Sequence, residues 1–344
     1  MRFAHRTLGQ RVVLDPGGAV ARIRAELDRL EPRAVMVIGG ERHAALLDAL
    51  SGRTAVRWTE VVQHVPEQLA ERATSAADGA GVDVVVAIGG GSAIGLAKAI
   101  ALNRPVRIVA VPTTYAGSEA TNVWGLTGPA GKRTGSADRV LPETVVYDPD
   151  LVASMPSELA AASGLNAVAH CVDSLWAPAA DPINAALADA GLHALNDGLR
   201  SGNAGRTQTG CYLAGVAFAS AGSGLHHKIC HVLGGRFDLP HAATHAIMLP
   251  YVVAFNAPAA PDAAARIAGA LGSIDALAGL QDLREDLRAP RALRDIGLRE
   301  EDLPEAVDVV LPAVPPSNPR PVDAAALGRL LRAAWAGDDP GVLR

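Results

Sequence analysis

The chain has 344 residues, a length that suits two domains better than one hydrophobic core. Hydrophobic residues make up 49% and charged residues 19% of the sequence, which indicates a globular protein and excludes disordered and collagen-like chains. The formal net charge is -5 and the lysines and arginines are scattered, so we expect a small-molecule substrate and no nucleic-acid partner.

Two features bear on where the protein works. The N-terminal segment lacks the apolar run of a secretory signal, and no apolar stretch reaches the roughly 18 residues that a membrane span needs. Cys171, Cys211 and Cys230 lack the C-x-x-C spacing of a metal site, so we expect buried thiols in a reducing compartment. The sequence therefore predicts a cytoplasmic protein that does not span a membrane.

In the first part of the chain, short runs rich in β-branched residues alternate with helical patterns. The predicted strands cover residues 34–38, 82–88, 106–111 and 145–147, and the predicted helices cover residues 20–30 and 66–79. This alternation is typical of βαβ units on a parallel sheet. We therefore predict an α/β nucleotide-binding domain over residues 1–156.

From residue 157 onwards, the sequence is rich in alanine and leucine and has few β-branched runs. Helices are predicted over residues 157–175, 183–197, 207–220, 225–233, 241–256 and 258–271, with several short segments after them. Residues 311–320 form a proline-rich loop rather than a new domain. The second domain, residues 157–344, is therefore predicted to be all-helical and to hold the catalytic site.

A candidate phosphate-binding turn follows the predicted strand at 82–88. Gly89, Gly90 and Gly91 let the backbone approach a phosphate, and Ser92 opens a predicted helix whose N-terminus favours anions. The spacing matches neither G-x-G-x-x-G nor a P-loop. A tight turn without a ligand remains the alternative when this motif is considered alone.

A second polar segment makes the ligand-free alternative weaker. Thr113, Thr114 and Ser118 follow the strand at 106–111 directly, at the edge of an α/β sheet where nucleotides bind. Gly39 ends the first predicted strand, where an acidic residue would favour NAD, and Glu41 with Arg42 comes just after it. The sequence thus predicts NADH or NADPH as the cofactor, with NADH preferred and NADPH tolerated.

Seven of the ten histidines fall between His170 and His245. Three pairs have the i,i+4 spacing that places two side chains on one helical face: Asn166 with His170, His227 with His231, and His241 with His245. Imidazole is a common ligand of zinc and iron and a common acid or base near neutral pH. The alternative is a set of packing histidines, which is our interpretation of His5 and His43, whereas His64 could lie near the cofactor.

Five segments carry a resemblance to a known family. They are residues 89–99 (GGGSAIGLAKA), 112–119 (PTTYAGSE), 163–170 (SGLNAVAH), 225–235 (LHHKICHVLGG) and 237–242 (FDLPHA). Together they resemble the iron-containing, or group III, alcohol dehydrogenases, and within these the maleylacetate reductases. The resemblance implies a nucleotide-binding α/β domain, a helical domain, a cleft for nicotinamide and substrate, and a homodimer.

The metal-dependent members of that family hold a divalent ion with one aspartate and three histidines. Carried over by motif, those positions are Asn166, His170, His227 and His241, so an amide replaces the carboxylate. An amide oxygen lacks the full negative charge of a carboxylate, and divalent-ion affinity should fall. We therefore favour a metal-free pocket, with a metal on His170, His227 and His241 as the alternative.

The resemblance implies reduction of the C=C bond of maleylacetate, or of a substituted maleylacetate, to 3-oxoadipate. On this hypothesis His227 and His241 stabilise the enolate oxygen, and His231 or Tyr115 donates the proton or lies beside the nicotinamide. Lys228 is the preferred partner for the dicarboxylate keto acid, with Arg133 and Arg236 as alternatives. Lys132 matches a family lysine near the cofactor.

Three other functions stay open at this point. The first is a metal-dependent alcohol or polyol dehydrogenase of the same fold, which Asn166 disfavours. The second is a regulatory protein that binds the cofactor without catalysis, and the third is a lyase with the dehydroquinate synthase architecture. Residues 120–124 and 172–176 depart from the usual reductase sequences, so a related unsaturated keto acid is an alternative substrate.

Overall fold

The computed structural model describes residues 3–129, 131–153 and 155–344, with the side chain of Lys132 excepted. These residues form two compact units, one of residues 7–155 and one of residues 156–344 together with 3–6. The short N-terminal piece groups with the second unit, and there the ring of His5 lies 2.8 Å from a carboxylate oxygen of Asp181. The boundary predicted from the sequence lies between residues 156 and 157, and it stays a prediction.

The first unit is an α/β structure built on a parallel sheet. Its strands are β1 (Arg11–Leu14), β2 (Val35–Gly39), β3 (Val56–Trp58), β4 (Val84–Gly89), β5 (Arg107–Pro112), β6 (Val123–Gly128), β7 (Gly131–Ser136) and β8 (Thr144–Tyr147). Its helices are α1 (Ala19–Leu30), α2 (Ala44–Ala49), α3 (Glu67–Gly79), α4 (Gly91–Asn103) and α5 (Pro149–Val152). Six strands pair in parallel in the order β1, β8, β5, β4, β2, β3, and β6 with β7 forms a separate antiparallel hairpin.

Both faces of the sheet are covered, which explains the continuous apolar runs of its central strands. Because side chains alternate along a strand, Met36 and Ile38 of β2 pack in one core with α3 and α4. Val35 and Val37 point the other way and pack with α1 and α2. The helices therefore lie on the two faces of a doubly wound sheet.

The second unit is helical among its described residues. Its helices are α6 (Ser157–Ser174), α7 (Pro182–Ser201), α8 (Ala204–Ala221), α9 (Leu225–Phe237), α10 (His241–Asn256), α11 (Pro261–Ala270), α12 (Ala276–Asp286), α13 (Leu303–Val310) and α14 (Ala324–Ala336). A Cβ added at Gly198 of α7 would lie 2.6 Å from the backbone nitrogen of Thr207 in α8, and one added at Gly191 would lie 2.8 Å from Cys171 Sγ. Glycines thus let α7 approach its neighbours closely.

The predicted fold class, a parallel α/β domain followed by a helical one, is confirmed. Short elements were missed: edge strands β1 and β3, and the hairpin of β6 and β7. Their residues are largely exposed or half-buried, so they give little hydrophobic signal. In the described part of the chain, none of the helices combines the length and the apolar character that crossing a bilayer requires.

Candidate active site

The predicted cofactor-binding segments meet at one edge of the sheet. Strands β2, β4 and β5 are neighbours and parallel, so their carboxyl ends lie side by side. Gly39 ends β2, Gly89 ends β4, and the backbone N–H of Thr113, just after β5, donates to the carbonyl of Gly89 at 3.1 Å. This is the edge at which nucleotides bind in open α/β sheets.

Two of the glycines are required by geometry at this edge. Gly89 has φ +152°, and a Cβ there would lie 2.8 Å from that of Ala93. A Cβ on Gly90 would lie 2.9 Å from the methyl and hydroxyl groups of Thr114. Gly91 and Ser92 then form the first turn of α4, whose N-terminus favours an anion. The turn can therefore hold a phosphate close to the backbone.

The polar segment after β5 is held in place by its neighbours. Thr113 is buried, and its hydroxyl lies 3.2 Å from a guanidinium nitrogen of Arg42 and 3.3 Å from the ring nitrogen of His43. Tyr115 is also buried, and Ser118 opens a short 3-10 turn. The residues that follow β2 thus lie against the segment that follows β5.

Lys98 is a supporting residue that sequence reasoning missed as part of the site. It is fully buried on α4, and its ammonium donates to the carbonyls of Ser118, Thr121 and Val123 at 2.7–2.8 Å. Burial lowers the pKa of Lys98 to about 7, and the carboxylate of Glu119 opposes that shift. The lysine therefore ties the segment after β5 to the helix of the phosphate turn.

Of two other predicted cofactor residues, His64 and Lys132, the structure describes the surroundings of only the first. His64 and Val65 both have positive φ, 63° and 44°, which is rare for a β-branched residue such as valine. The carbonyl of His64 accepts from the Thr127 hydroxyl at 2.9 Å, and a Cβ on Gly95 of α4 would lie 3.0 Å from a Val65 methyl. His64 therefore lies in a strained turn beside α4. The side chain of Lys132 lies outside the described residues.

In the helical unit, four helices bring six histidine rings together with Phe218. The rings belong to His170 (α6), His226, His227 and His231 (α9), and His241 and His245 (α10). We call these six histidines the histidine cluster. His170 stacks on His227 at 4.7 Å, and His231 stacks on His241 at 6.0 Å between ring centroids. All four histidines chosen from the sequence lie in the cluster, and His226 and His245 extend it.

Burial decides the charge of the innermost rings. Loss of solvation lowers the pKa of His170 to about 4 and that of His226 to about 3. The pKa values of His227 and His245 are held well below the usual range for the same reason. These four rings are therefore neutral at neutral pH and offer one donor and one acceptor each.

A buried carboxylate that we did not single out from the sequence lies against the cluster. Asp173 Oδ2 lies 2.8 Å from Nδ1 of His227 and accepts from the backbone N–H of the same residue at 3.0 Å. Because an ionised carboxylate only accepts, the proton of the neutral ring is on Nδ1 and the lone pair is on Nε2. The sequence pattern did not indicate this contact, because 54 residues separate Asp173 from His227.

The family's four metal positions combine three histidines with an amide where the metal-dependent members have a carboxylate. Asn166 Oδ1, His170 Nδ1 and His227 Nε2 are buried and find no hydrogen-bond partner among the described residues, which would suit ligand atoms. However, the donor set carries no negative charge. Among the described residues, moreover, the ring nitrogens of His170, His227 and His241 do not form a group within 4.8 Å of one another.

Another group does meet that distance: His226, Cys230 and His245. Nε2 of His226 lies 2.9 Å from Nδ1 of His245, which makes a direct hydrogen bond between the rings. Burial raises the pKa of the Cys230 thiol well above its usual range, so the thiolate that a metal needs is disfavoured. We therefore interpret this group as a hydrogen-bonded part of the core.

The predicted cationic partners of the substrate differ in availability. Arg133 pairs with Glu67, with Nε at 2.9 Å, and Arg236 pairs with Glu305, with Nε at 2.7 Å. Lys228 follows His227 on α9 and is half-buried, and no ion pair engages it among the described residues. Of the three, Lys228 directly follows a member of the histidine cluster, and no carboxylate in the described part of the chain pairs with it.

Comparison with known proteins gives a consistent result over the whole chain. Two family models match, "Iron-containing alcohol dehydrogenase" over residues 10–149 and "Fe-containing alcohol dehydrogenase family, C-terminal" over residues 160–335. A maleylacetate reductase of Pseudomonas sp. (strain P51) is 41% identical over 99% of both chains.

Solved structures agree with the sequence comparison. An iron-containing alcohol dehydrogenase from Corynebacterium glutamicum is 53% identical, superposes with a TM-score of 0.97 and covers 100% of this chain and 99% of its own. Maleylacetate reductase from Agrobacterium tumefaciens is 35% identical, with a TM-score of 0.92 and coverage of 98% and 99%. The two family models together match most of the chain, and a relative is 41% identical over 99% of both chains. The chain therefore belongs to the iron-containing alcohol dehydrogenase family.

Proposed function

We propose that this protein reduces the C=C bond of maleylacetate, or of a substituted maleylacetate, to 3-oxoadipate with NADH or NADPH. The observation that carries the proposal is the 41% identity, over 99% of both chains, to a protein named maleylacetate reductase. The histidine cluster supports it, because it supplies several hydrogen-bonding rings in one place. The substrate is then a small dicarboxylate keto acid.

The chemistry requires a hydride acceptor and a proton donor. In maleylacetate the alkene is conjugated to a ketone, so hydride from the nicotinamide adds to the alkene carbon β to that ketone and gives an enolate. A proton added to the neighbouring carbon completes 3-oxoadipate and leaves the oxidised cofactor. The protein lowers the barrier by stabilising the enolate oxygen with preorganised donors and by delivering the proton.

The histidines divide these tasks. We assign His241 as the donor to the enolate oxygen, and His231 or Tyr115 as the source of the proton or the group beside the nicotinamide. His227 was expected to share the first task, but its neutral ring has a lone pair on Nε2, so it can donate there only as an imidazolium. Lys228 pairs with a substrate carboxylate, and Asn166 and His170 complete the wall of the pocket.

The sheet unit holds the dinucleotide in this proposal. Its pyrophosphate lies on the turn from Gly89 to Ser92, and the hydroxyls of Thr113, Thr114 and Ser118 contribute further contacts. Gly39 lies at the end of β2, where the adenosine ribose is expected. His64 and Lys132 are assigned to the same site from their positions in the sequence.

We further propose that the reaction needs no metal. The neutral donor set, with Asn166 in place of an aspartate, supports this, as does the spread of the three histidines described above. A conjugated alkene is reduced through an enolate that hydrogen bonds can stabilise, so a Lewis acid is less necessary than for an isolated carbonyl. The three free buried cysteines suit a cytoplasmic enzyme, and we expect a homodimer from the family resemblance.

A metal-dependent alcohol dehydrogenase is the second candidate, favoured by the 53% identity to a structure named iron-containing alcohol dehydrogenase. The two candidates differ in substrate. Purified protein and NADH are incubated with maleylacetate or with simple aldehydes, and the loss of NADH absorbance and the product formed are measured. We expect 3-oxoadipate from the first substrate and little reaction with the second. Reduction of aldehydes alone would refute the proposed function.

A further inference from the structure

A cationic side chain, that of Arg42, lies at the carboxyl end of β2. Arg42 comes three residues after Gly39, the last residue of that strand, and it is exposed. Most described arginines of the same unit pair with a carboxylate, as Arg53 does with Asp28. Among the described residues, by contrast, the side chains that contact the guanidinium of Arg42 include no carboxylate. Its positive charge is therefore available to an anion.

Two neighbouring side chains hold the guanidinium in place. Nε of Arg42 donates to Nε2 of His43 at 3.0 Å, and Nη2 donates to the Thr113 hydroxyl at 3.2 Å. That hydroxyl lies 3.3 Å from the same nitrogen of His43. Burial, and then the nearby guanidinium, lowers the pKa of His43, so its ring is neutral at neutral pH and can accept. The guanidinium is thus oriented by groups that leave its charge uncompensated.

The position of the guanidinium coincides with the expected place of the adenosine ribose. Because β4 lies between β2 and β5, the contact of Arg42 with Thr113 spans the carboxyl end of β4. At this kind of strand end, an acidic side chain favours NAD, and a nearby arginine accommodates the 2′-phosphate of NADP. The strand itself ends in Gly39, which offers no acidic side chain. The chain therefore has the arginine without the acid at the strand tip.

The phosphate turn and Arg42 suit different groups of a dinucleotide. The turn from Gly89 to Ser92 offers backbone N–H groups and the N-terminus of α4, which suit the pyrophosphate. A guanidinium presents a planar fork of donors that matches the oxygens of a phosphate, and it stays charged at neutral pH. A second phosphate on the ribose would meet such a fork at the end of β2.

We propose that Arg42 lets this site accept NADPH by binding the 2′-phosphate of its adenosine ribose, with His43 and Thr113 positioning the guanidinium for that contact. The inference rests on the proposed function only for the nicotinamide cofactor, and not for the substrate. Glu41, the residue before Arg42, is also exposed and repels a phosphate. Two adjacent residues of opposite charge thus set the affinity for NADPH relative to that for NADH.

The test replaces Arg42 by glutamine, which removes the charge but keeps an N–H donor for Thr113. NADPH and NADH are titrated into the wild type and the variant, and the nucleotide fluorescence gives each dissociation constant. We expect the dissociation constant of NADPH to rise about 10- to 100-fold, the range of one charge-assisted contact, and that of NADH to change less than about twofold. Equal weakening of both nucleotides would place Arg42 at a group that they share, and would overturn the proposal.

Two further variants test the charge and the place separately. Glu41→Gln removes the repelling carboxylate, so it should shift the ratio of affinities towards NADPH, opposite to Arg42→Gln. Arg53→Gln is the matched control: Arg53 is exposed, pairs with Asp28 and precedes β3, so it lies at the opposite edge of the sheet. Arg53→Gln should leave the ratio unchanged. A shift as large as that of Arg42→Gln would reveal a general effect of net charge, and would contradict the proposed contact.

A pair of simpler nucleotides separates this inference from the proposed function. Adenosine 2′,5′-bisphosphate and adenosine 5′-monophosphate differ only in the 2′-phosphate, and calorimetry measures their binding without nicotinamide or substrate. The affinity for the bisphosphate relative to the monophosphate should fall about 10- to 100-fold in Arg42→Gln. If this fall is seen but maleylacetate is not reduced, the proposed function fails and the inference stands. An unchanged ratio, or a wild type that does not bind NADPH, would overturn the inference.

Discussion

Substituting Gly90 by alanine tests the cofactor-binding turn most sharply, because its backbone tolerates the change while its surroundings do not. Gly90 has φ -81° and ψ -163°, a conformation open to alanine. The new Cβ would lie 2.9 Å from Cγ2 and Oγ1 of Thr114 and 3.5 Å from its Cβ. Carbon atoms in ordinary contact lie about 3.5–4.0 Å apart, so the methyl group is too close by roughly 0.6 Å or more.

Such overpacking typically costs about 1–3 kcal/mol. The segment after β5 can relieve the contact only by moving away from α4, and cofactor binding must then bring it back. If the whole cost appears in binding, NADH affinity falls by about 5- to 150-fold. Titration of NADH fluorescence on the purified protein measures this change in dissociation constant.

Two further variants separate the contact from a general effect of alanine. Thr114→Ala removes both atoms at 2.9 Å, so Gly90→Ala should weaken NADH binding much less in that background. Gly40→Ala is the matched control, because a Cβ there meets nothing within 4 Å and its φ is -69°. Equal NADH affinity of the Gly90→Ala and Gly40→Ala variants, or no rescue by Thr114→Ala, would refute the proposed packing of the turn.

Three other predictions concern buried ionisable groups. Lys98→Met leaves the carbonyls of residues 118, 121 and 123 without their donor. Each unpaired carbonyl should cost about 1–3 kcal/mol of stability. Hydrogen exchange should therefore rise in residues 118–123 but not in α10. Below about pH 6.5 the unfolded chain protonates His226, whereas the folded protein, with a pKa of about 3, does not. Through His226 alone, the free energy of unfolding should therefore fall by up to about 5 kcal/mol towards pH 3, visible as a lower Tm, and His226→Asn should remove that share of the fall. All three cysteine thiols are buried, so the native protein should resist alkylation by iodoacetamide. The unfolded protein should take up three adducts, which mass spectrometry counts. Rapid labelling of the native protein would contradict this burial.

The sequence predicted those parts of the fold that bury a continuous apolar pattern. Strands β2, β4, β5 and β8 were found because both faces of the sheet are covered, and α10 was found with its bounds because it is almost wholly apolar after His241. Edge strand β1 was missed because three of its four residues are exposed. Burial, rather than propensity, therefore decided which elements were visible.

The site was predictable where its residues share one helical face. His227 with His231 and His241 with His245 have that spacing, so the cluster could be expected before its geometry was known. Asp173 could not be found in this way, because it meets His227 through the packing of α6 against α9. Lys98 escaped for another reason: α4 is buried around most of its circumference, so no face of that helix marks its lysine as special.

The central claim is that the histidine cluster supports reduction of the C=C bond without a metal. The most direct test measures NADH oxidation with maleylacetate by chelator-stripped protein whose metal content has been checked, with and without added Zn²⁺ or Fe²⁺. The account predicts full turnover by the stripped protein and no increase on adding either ion. Activity that is lost on stripping and restored by one of the ions would contradict it.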